Sequence, residues 1–293
     1  MHLVSYSRRV FLIINAALMG CAMLLCLIPI LNILAISFST GSAADAGLVG
    51  LYPIKFTTQA YSDVLKRPQY FRALFVSFQR IILGWSISLV MTVLVAYPMS
   101  KERKYFKTRH IYMGFFLFAM LFNGGLIPTY IVVQQLGLIN SIWALVLPSA
   151  VNIFNCVLMM NFFRGLPHEI EEAALIDGAS YFRSLVYIFL PLSLPSLATI
   201  SLITIVGYWN EWMYGIIYVN NPNGYPLSSY LQTIIKVVNL SKLTAEEMLN
   251  LDKVTTRTSK AAQVFIALIP LLAIYPFLQK YFVKGLVLGS VKG

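Results

Sequence analysis

Four carboxylates, Glu169, Glu171, Glu172 and Asp177, crowd into the stretch GLPHEIEEAALIDGAS of a chain that is only 11% charged and 58% hydrophobic. A second polar set is scattered through the apolar runs: Arg80, Asn152, Asn155 and the string Trp209, Asn210, Glu211, Trp212. Polar groups inside apolar spans are costly to hold and often functional. Neither set reads as a catalytic centre. The chain has no Gly-Lys dipeptide and so no phosphate-binding loop of the G-x-x-x-x-G-K-[ST] type, and it lacks H-E-x-x-H and G-x-S-x-G. His2, His110 and His168 fall in terminal or loop segments. Cys21, Cys26 and Cys156 lie in apolar stretches without metal or redox spacing and read as small core residues.

The carboxylate stretch has its own helical logic. Pro167 suits the first position of a helix, and Glu169, Glu171 and Glu172 place negative charge at its positive end. Ile170, Ala173, Ala174 and Asp177 recur about one turn apart, and Gly178 supplies a left-handed stop. The pattern predicts a capped helix of about eleven residues, roughly 16 Å long, lying across the membrane surface. An amphipathic helix resting on lipid headgroups favours Lys and Arg on its polar face. This one is acidic and lined with small alanines, which favours a protein partner with a basic groove.

Six apolar runs must position these residues: Val10–Ser37, Ala73–Met99, Ile111–Val133, Ile142–Phe163, Ile188–Ile217 and Ala261–Leu278. Each is near or above the ~20 residues a helix needs to cross a bilayer. Backbone polar groups in lipid must be satisfied within the segment, so the fold class is all-α, a polytopic membrane protein with six transmembrane helices. Prolines 128, 148, 191, 195 and 270 mark sites for kinks. The first run follows Arg8 and Arg9 and is far longer than the roughly 7–15 residues of a signal-peptide core, so it reads as an uncleaved span.

The net charge of +11 does not stripe a soluble face, which argues against nucleic-acid binding. Basic residues gather instead at the ends of apolar runs. The loop SKERKYFKTRH carries Lys101, Arg103, Lys104, Lys107 and Arg109 against Glu102 and reads as cytoplasmic, whereas QQLGLINS carries no Lys or Arg. Both termini are then cytoplasmic, and the carboxylate stretch lies on the same side. The segments Thr40–Arg72 and Tyr218–Lys260, which also carry basic residues, read as long extracytoplasmic loops. The expected organisation is residues 1–72 as first span and outer loop, 73–285 as a transmembrane core, and 286–293 as a cytoplasmic tail.

Glu172-Ala173-Ala174, three residues, Gly178, nine residues, Ile188, one residue and Leu190-Pro191 reproduce the spacing of the EAA loop of importer permeases in the ATP-binding-cassette (ABC) superfamily. The stretch FNGGLIPTYIVVQQLGLINSIWALVLP and the tail QKYFVKGLVLGSVKG resemble the branch that imports oligo- and polysaccharides, and the whole chain is similar to the second permease subunit of maltose importers and to permease subunits of bacterial alginate importers. The resemblance implies a type I ABC importer permease in a bacterial plasma membrane. Residues 165–191 would form the EAA loop and its short helix a cytoplasmic coupling helix seated in a cleft of a separate ATPase, which binds ATP and Mg. This chain would need no cofactor of its own and would not be an enzyme. Glu171, Glu172, Ala173, Ala174, Asp177, Gly178, Leu190 and Pro191 would serve the ATPase coupling, with Glu172 facing the ATPase, the two alanines filling its cleft, and the tail near the same interface. The partners implied are a second, non-identical permease, two ATPase copies, an extracytoplasmic solute-binding protein docking on the outer loops, a saccharide substrate and membrane lipid.

In such a machine Arg80, Asn152, Asn155, Trp209, Asn210, Glu211 and Trp212 are candidates for the substrate pathway, because aromatic faces, amides and carboxylates suit sugar rings and hydroxyls. Each has a plain structural alternative: an interfacial aromatic belt with a helix-end carboxylate for the Trp string, an interhelical hydrogen bond for the two asparagines, and a side chain reaching outward for Arg80. Arg80 and the basic outer loops would suit an acidic, alginate-like polymer. The alternatives are the same machine carrying a neutral sugar, polyol or peptide, and a stand-alone membrane enzyme or scaffold.

Overall fold

The computed structural model of the chain describes residues 6–122, 124–235 and 256–290. Among these residues all regular structure is helical, with no strand. The helices are α1 (Tyr6–Ser37), α2 (Gly41–Asp45), α3 (Gln59–Leu65), α4 (Pro68–Ser100), α5 (Arg109–Leu121), α6 (Leu126–Gln135), α7 (Ile142–Val146), α8 (Ile153–Arg164), α9 (His168–Ile176), α10 (Tyr181–Ser184), α11 (Leu190–Leu192), α12 (Leu194–Asn210), α13 (Met213–Tyr218), α14 (Leu227–Ile235) and α15 (Thr256–Ser290). A π-helical turn, Leu185–Phe189, joins α10 to α11, and a 3-10 turn, Leu147–Ser149, follows α7.

Three helical segments are each long and apolar enough to cross a membrane: Arg8–Ser37, Pro68–Ser100 and Arg257–Ile274. Three bent pairs pass the same test together, giving six crossings if each pair forms one span. The third, fourth and fifth apolar runs are therefore not the continuous helices their hydropathy suggests. The third breaks between Leu121 and Leu126, beside Gly124-Gly125. The fourth bends by 49° before Ile153, where Pro148 sits in the 3-10 turn and removes a backbone donor. The fifth begins at Tyr181, not Ile188, bends by 80° at Ser193 between Pro191 and Pro195, and ends at Asn210, with Met213–Tyr218 a separate helix. The sixth extends beyond its expected bounds, and its helix runs into the expected tail 286–293 as far as Ser290. Residues 291–293 of that tail, and 236–255 of the expected outer loop, lie outside the described residues.

The chain forms two compact units. The first comprises residues 1–68 and 233–269. Its small core gathers Ala35, Ile36, Ala43, Ala44, Val49 and Ala261, and Arg257 donates through Nη1 to the Ala44 carbonyl at 2.8 Å. Most of α1 stays outside this core. Its leucines, isoleucines and methionines from Val10 to Leu31 are exposed, as are Cys21 and Cys26, so only Cys156 is the buried cysteine that all three were expected to be. An apolar surface of this extent fits lipid or a partner helix.

The second unit comprises residues 69–232 and 270–293. Its core gathers Val93, Ala96, Tyr97 and Met99 from α4, Met159, Met160 and Phe163 from α8, Leu185 and Phe189 from the π turn, and Ile200 from α12. Small residues let helices approach closely, as packing in lipid requires. A Cβ on Gly84 of α4 would stand 2.5 Å from the ring of Tyr208 on α12. The Tyr208 hydroxyl donates to the Val146 carbonyl at 2.9 Å, so one side chain ties α12 to α4 and α7.

Candidate functional site

The carboxylate stretch folds as α9, nine residues long and bounded on both sides as its sequence requires. Pro167 flanks the helix as its N-cap, one position before the helical residue it was expected to be. Glu169 and Glu171 lie in the first turn. At the other end Gly178 takes φ +80°, a conformation that only glycine adopts without strain. Its N–H donates to the Leu175 carbonyl at 3.1 Å and the Ala179 N–H to the Ala174 carbonyl at 2.9 Å, the paired bonds of a Schellman stop.

Two faces of α9 are distinguished by the 3.6-residue period. Glu171, Ala174 and Leu175 turn toward the second unit's own chain, and Ala174 is buried. Glu169, Glu172, Ala173 and Ile176 turn outward together with Ile170, and Ile176 is 86% exposed. Ala173 and Ala174 therefore do not share a face: only Ala173 is placed to meet a partner. An isoleucine left bare beside two carboxylates makes the outer face a mixed apolar and acidic surface.

Glu171 pins α9 to the end of α4. Its Oε1 forms an ion pair with the Lys101 ammonium and accepts a hydrogen bond from the Tyr97 hydroxyl at 3.0 Å. The ammonium lies 3.8 Å from the centre of the Tyr97 ring and 4.2 Å from that of Phe189. Burial pushes the Lys101 ammonium below the ordinary lysine value, and the Glu171 carboxylate pulls it back up. Arg109 and Arg164 both donate to the Met99 carbonyl, at 2.9 and 3.2 Å, where cations meet the negative end of α4. The loop after α4 and α9 thus sit at one end of the unit. Leu190 and Pro191 are not part of α9. They follow the π turn at the 80° bend, Leu190 half-buried against the core and Pro191 exposed.

The second polar set divides. Arg80, Asn152, Asn155 and Glu211 line one cleft of about 180 Å³ between α4, α8 and α12, together with Ser88, Ser149, Thr204, Gly207 and Tyr208. Trp209, Asn210 and Trp212 lie outside its lining. Trp209 packs edge-on against Phe78 at 5.9 Å, and Trp212 offers its carbonyl to Ser229 Oγ at 2.6 Å.

Arg80 does not reach outward. It is fully buried, with Nε donating to the Leu145 carbonyl at 3.1 Å, Nη1 to the Glu211 carbonyl at 2.7 Å, and Nη2 ion-paired with Glu211 Oε2. Glu211 is not inside a helix but caps the end of α12, and its Oε1 accepts the Tyr214 N–H at 2.8 Å. The guanidinium is neutralised by its own chain. Asn152 is likewise a cap: it heads α8, and its Oδ1 accepts the Asn155 N–H. Asn155 Nδ2 donates to Thr204 Oγ1 at 3.2 Å, the interhelical bond that its position suggested. Ser88 Oγ and Asn155 Oδ1 are buried at the cleft without a hydrogen-bond partner among the described residues.

Sequence reading missed Lys101, Tyr97 and Phe189 at α9, and Ser88, Thr204 and Tyr208 at the cleft. Tyr97 and Lys101 stand four apart at the end of an apolar run, and that spacing was a usable signal for a shared face. Nothing local in the sequence points Phe189 at Lys101.

Over residues 4–287 the chain matches the family described as binding-protein-dependent transport system inner membrane component. Protein LplC of Bacillus subtilis is 39% identical over 285 residues, covering 97% of this chain and 96% of that protein. The polygalacturonan/rhamnogalacturonan transport system permease protein YtcP of the same organism is 39% identical over 270 residues, covering 92% and 94%. The trehalose/maltose transport system permease protein MalG of Thermococcus litoralis is 29% identical, covering 98% of each chain. Among solved structures, one chain from a bacterial ABC transporter involved in the import of the acidic polysaccharide alginate superposes with a TM-score of 0.86 at 32% identity, covering 96% of this chain and 100% of that one.

Proposed function

The chain belongs to the family of binding-protein-dependent transport system inner membrane components, the permease subunits of ABC importers, and from that membership we propose that it passes an oligo- or polysaccharide across a bacterial plasma membrane, driven through α9 by a separate ATPase. With each bent pair taken as one crossing, both termini share one side with α9, and the basic loop beside α9 supports the cytoplasm as that side. The chain works with a second, non-identical permease, two copies of an ATPase that bind ATP and Mg, and an external solute-binding protein.

The observation that carries this reading is the outer face of α9: Glu172, Ala173 and Ile176, exposed on a helix whose inner face is fixed to the bundle by Glu171 and Ala174. A rigidly based, bare, mixed surface is suited to sit in the cleft of a partner. Glu172 pairs with a basic group there, Ala173 allows close approach, Asp177 and Gly178 set the exit turn, and Leu190-Pro191 shapes the bend beyond. Nucleotide-driven closure of the ATPases then biases the bundle between two states.

The cleft serves the substrate path. Ser88, Asn155 and their neighbours offer hydroxyl and amide groups suited to sugar hydroxyls. An acidic polysaccharide is supported by the alginate transporter's likeness and by the exposed basic residues Lys55, Lys66 and Arg72, which attract anions over a distance. A neutral saccharide is the second reading, favoured by one observation: Arg80 already has its carboxylate. Measuring which sugars the cognate binding protein retains separates the two.

Reconstitution of the complete importer in vesicles tests the coupling role. Glu172→Lys is expected to abolish ATP-driven uptake while the permease pair stays assembled. Undiminished uptake in that variant would remove the role assigned to α9.

A further inference from the structure

We propose that Lys101 is the pin of a buried joint that makes the end of α4 move as one body with α9, so that the permease is driven through this contact and not only along the chain from α9 to α12. The proposal rests on the reading of α9 as the ATPase-driven helix.

Three elements meet at one ammonium and a fourth packs behind their rings. Tyr97 and Lys101 come from the last turn of α4 and the residue after it, Glu171 from α9, Phe189 from the π turn, and Phe163 of α8 closes the aromatic packing. The Tyr97 and Phe189 rings meet at 5.0 Å, Tyr97 and Phe163 at 5.9 Å, and Phe163 and Phe189 at 5.6 Å, all close to edge-on. Lys101 is 9% exposed. A lysine is seldom buried unless paired, and here the pairing is specific: one carboxylate and two ring faces surround it. Its loss leaves the Glu171 carboxylate inside with only the Tyr97 hydroxyl.

The alternative route along the chain is softer. From α9 it runs through the Gly178 turn, four residues of α10, the π turn and the 80° bend at Ser193 before α12 starts. A π turn and a proline-flanked bend are places where helices yield. The Lys101–Glu171 contact passes directly from α9 to α4, the longest helix of the second unit among those wholly described there. Lys101 is therefore a positioning residue for coupling: it touches no nucleotide and no substrate, and acts by holding Glu171.

The test uses the reconstituted importer with its ATPase and binding protein, comparing wild type with Lys101→Met, which keeps the stem between the rings, and Glu171→Gln, which keeps an acceptor for Tyr97. Three quantities are read: ATPase subunit retained on purification, ATP hydrolysed, and sugar moved per ATP. Retention and hydrolysis near wild type, with sugar moved per ATP reduced about tenfold, is the expected result, and the exchanged pair Lys101→Glu with Glu171→Lys recovers part of the loss. Wild-type sugar per ATP in both single variants would overturn the joint. A wild-type permease that retains no ATPase would instead overturn the reading of α9. Should the single variants fail to assemble, spin labels on Glu102→Cys and His168→Cys, both exposed and outside the docking face, in a background without native cysteines, read the joint directly. Their separation is expected to stay unchanged when ATP is added, and a separation that shifts on ATP binding would contradict the proposal.

Discussion

The buried guanidinium of Arg80 on α4 and the half-buried carboxylate of Glu211 at the end of α12, 131 positions apart in sequence, form a single ion pair. Three of the arginine's donors are engaged by the chain itself, and the Glu211 carbonyl also accepts from Ser228 Oγ at 2.7 Å. Breaking such a pair from one side leaves a charge uncompensated. Arg80→Met is expected to destabilise the second unit by about 3–5 kcal/mol, and the double change Arg80→Met with Glu211→Gln by clearly less. Thermal unfolding of the purified complex in detergent reads both, and equal losses would contradict the pairing.

At Gly84 the backbone of α4 lies against the Tyr208 ring, whose hydroxyl is held by Val146. The ring cannot swing away without losing that bond. Gly84→Ala is expected to cost about 1–3 kcal/mol by overpacking, and Tyr208→Phe about 1 kcal/mol by the lost hydrogen bond alone. The same unfolding measurement ranks them.

Gly178 stops α9 at φ +80° with no atom within 4 Å of an added Cβ. Substitution there is opposed by conformation and not by crowding. Gly178→Ala is expected to cost about 1–2 kcal/mol and Gly178→Asn less, since asparagine tolerates the left-handed region. Gly178→Pro removes the N–H bonded to Leu175 and is expected to abolish uptake, which transport assays on vesicles check.

Ser88 faces the cleft from α4 with its hydroxyl unpartnered among the described residues. Ser88→Leu puts bulk into a space of about 180 Å³. Uptake is expected to fall about tenfold or more while ATPase retention stays unchanged. Unaltered uptake would mean that the sugar passes elsewhere.

Much of this architecture could be read from the chain before folding. Apolar length predicted the helices, three of them long enough to cross a membrane alone and three runs only as bent pairs, because a backbone in lipid has few other options. The acidic stretch predicted its helix and its Gly178 stop, because caps are local chemistry. The breaks were harder. Pro148, Pro191 and Pro195 mark kinks and stand at the observed bends, whereas Gly124-Gly125 breaks the third run from inside an apolar stretch, where only the turn preference of paired glycines signals it. The partners of polar groups were not legible. Hydropathy gives Arg80 and Glu211 the same cost and says nothing of their pairing, and the choice of Ala174 for the inner face and Ala173 for the outer depends on the rotation of α9, which the distant Lys101 fixes.

The central claim, that the outer face of α9 is the part of the chain a nucleotide-driven partner holds, is tested most directly by site-specific cross-linking. With Ile176→Cys in a complex whose native cysteines have been replaced, a bifunctional thiol reagent is expected to join the permease to the ATPase subunit and to halt uptake, with release on reduction restoring it. Ala174→Cys, on the buried face, is expected to give no such product. A complex that transports sugar yet yields no Ile176 cross-link, or that cross-links equally through position 174, would contradict the account.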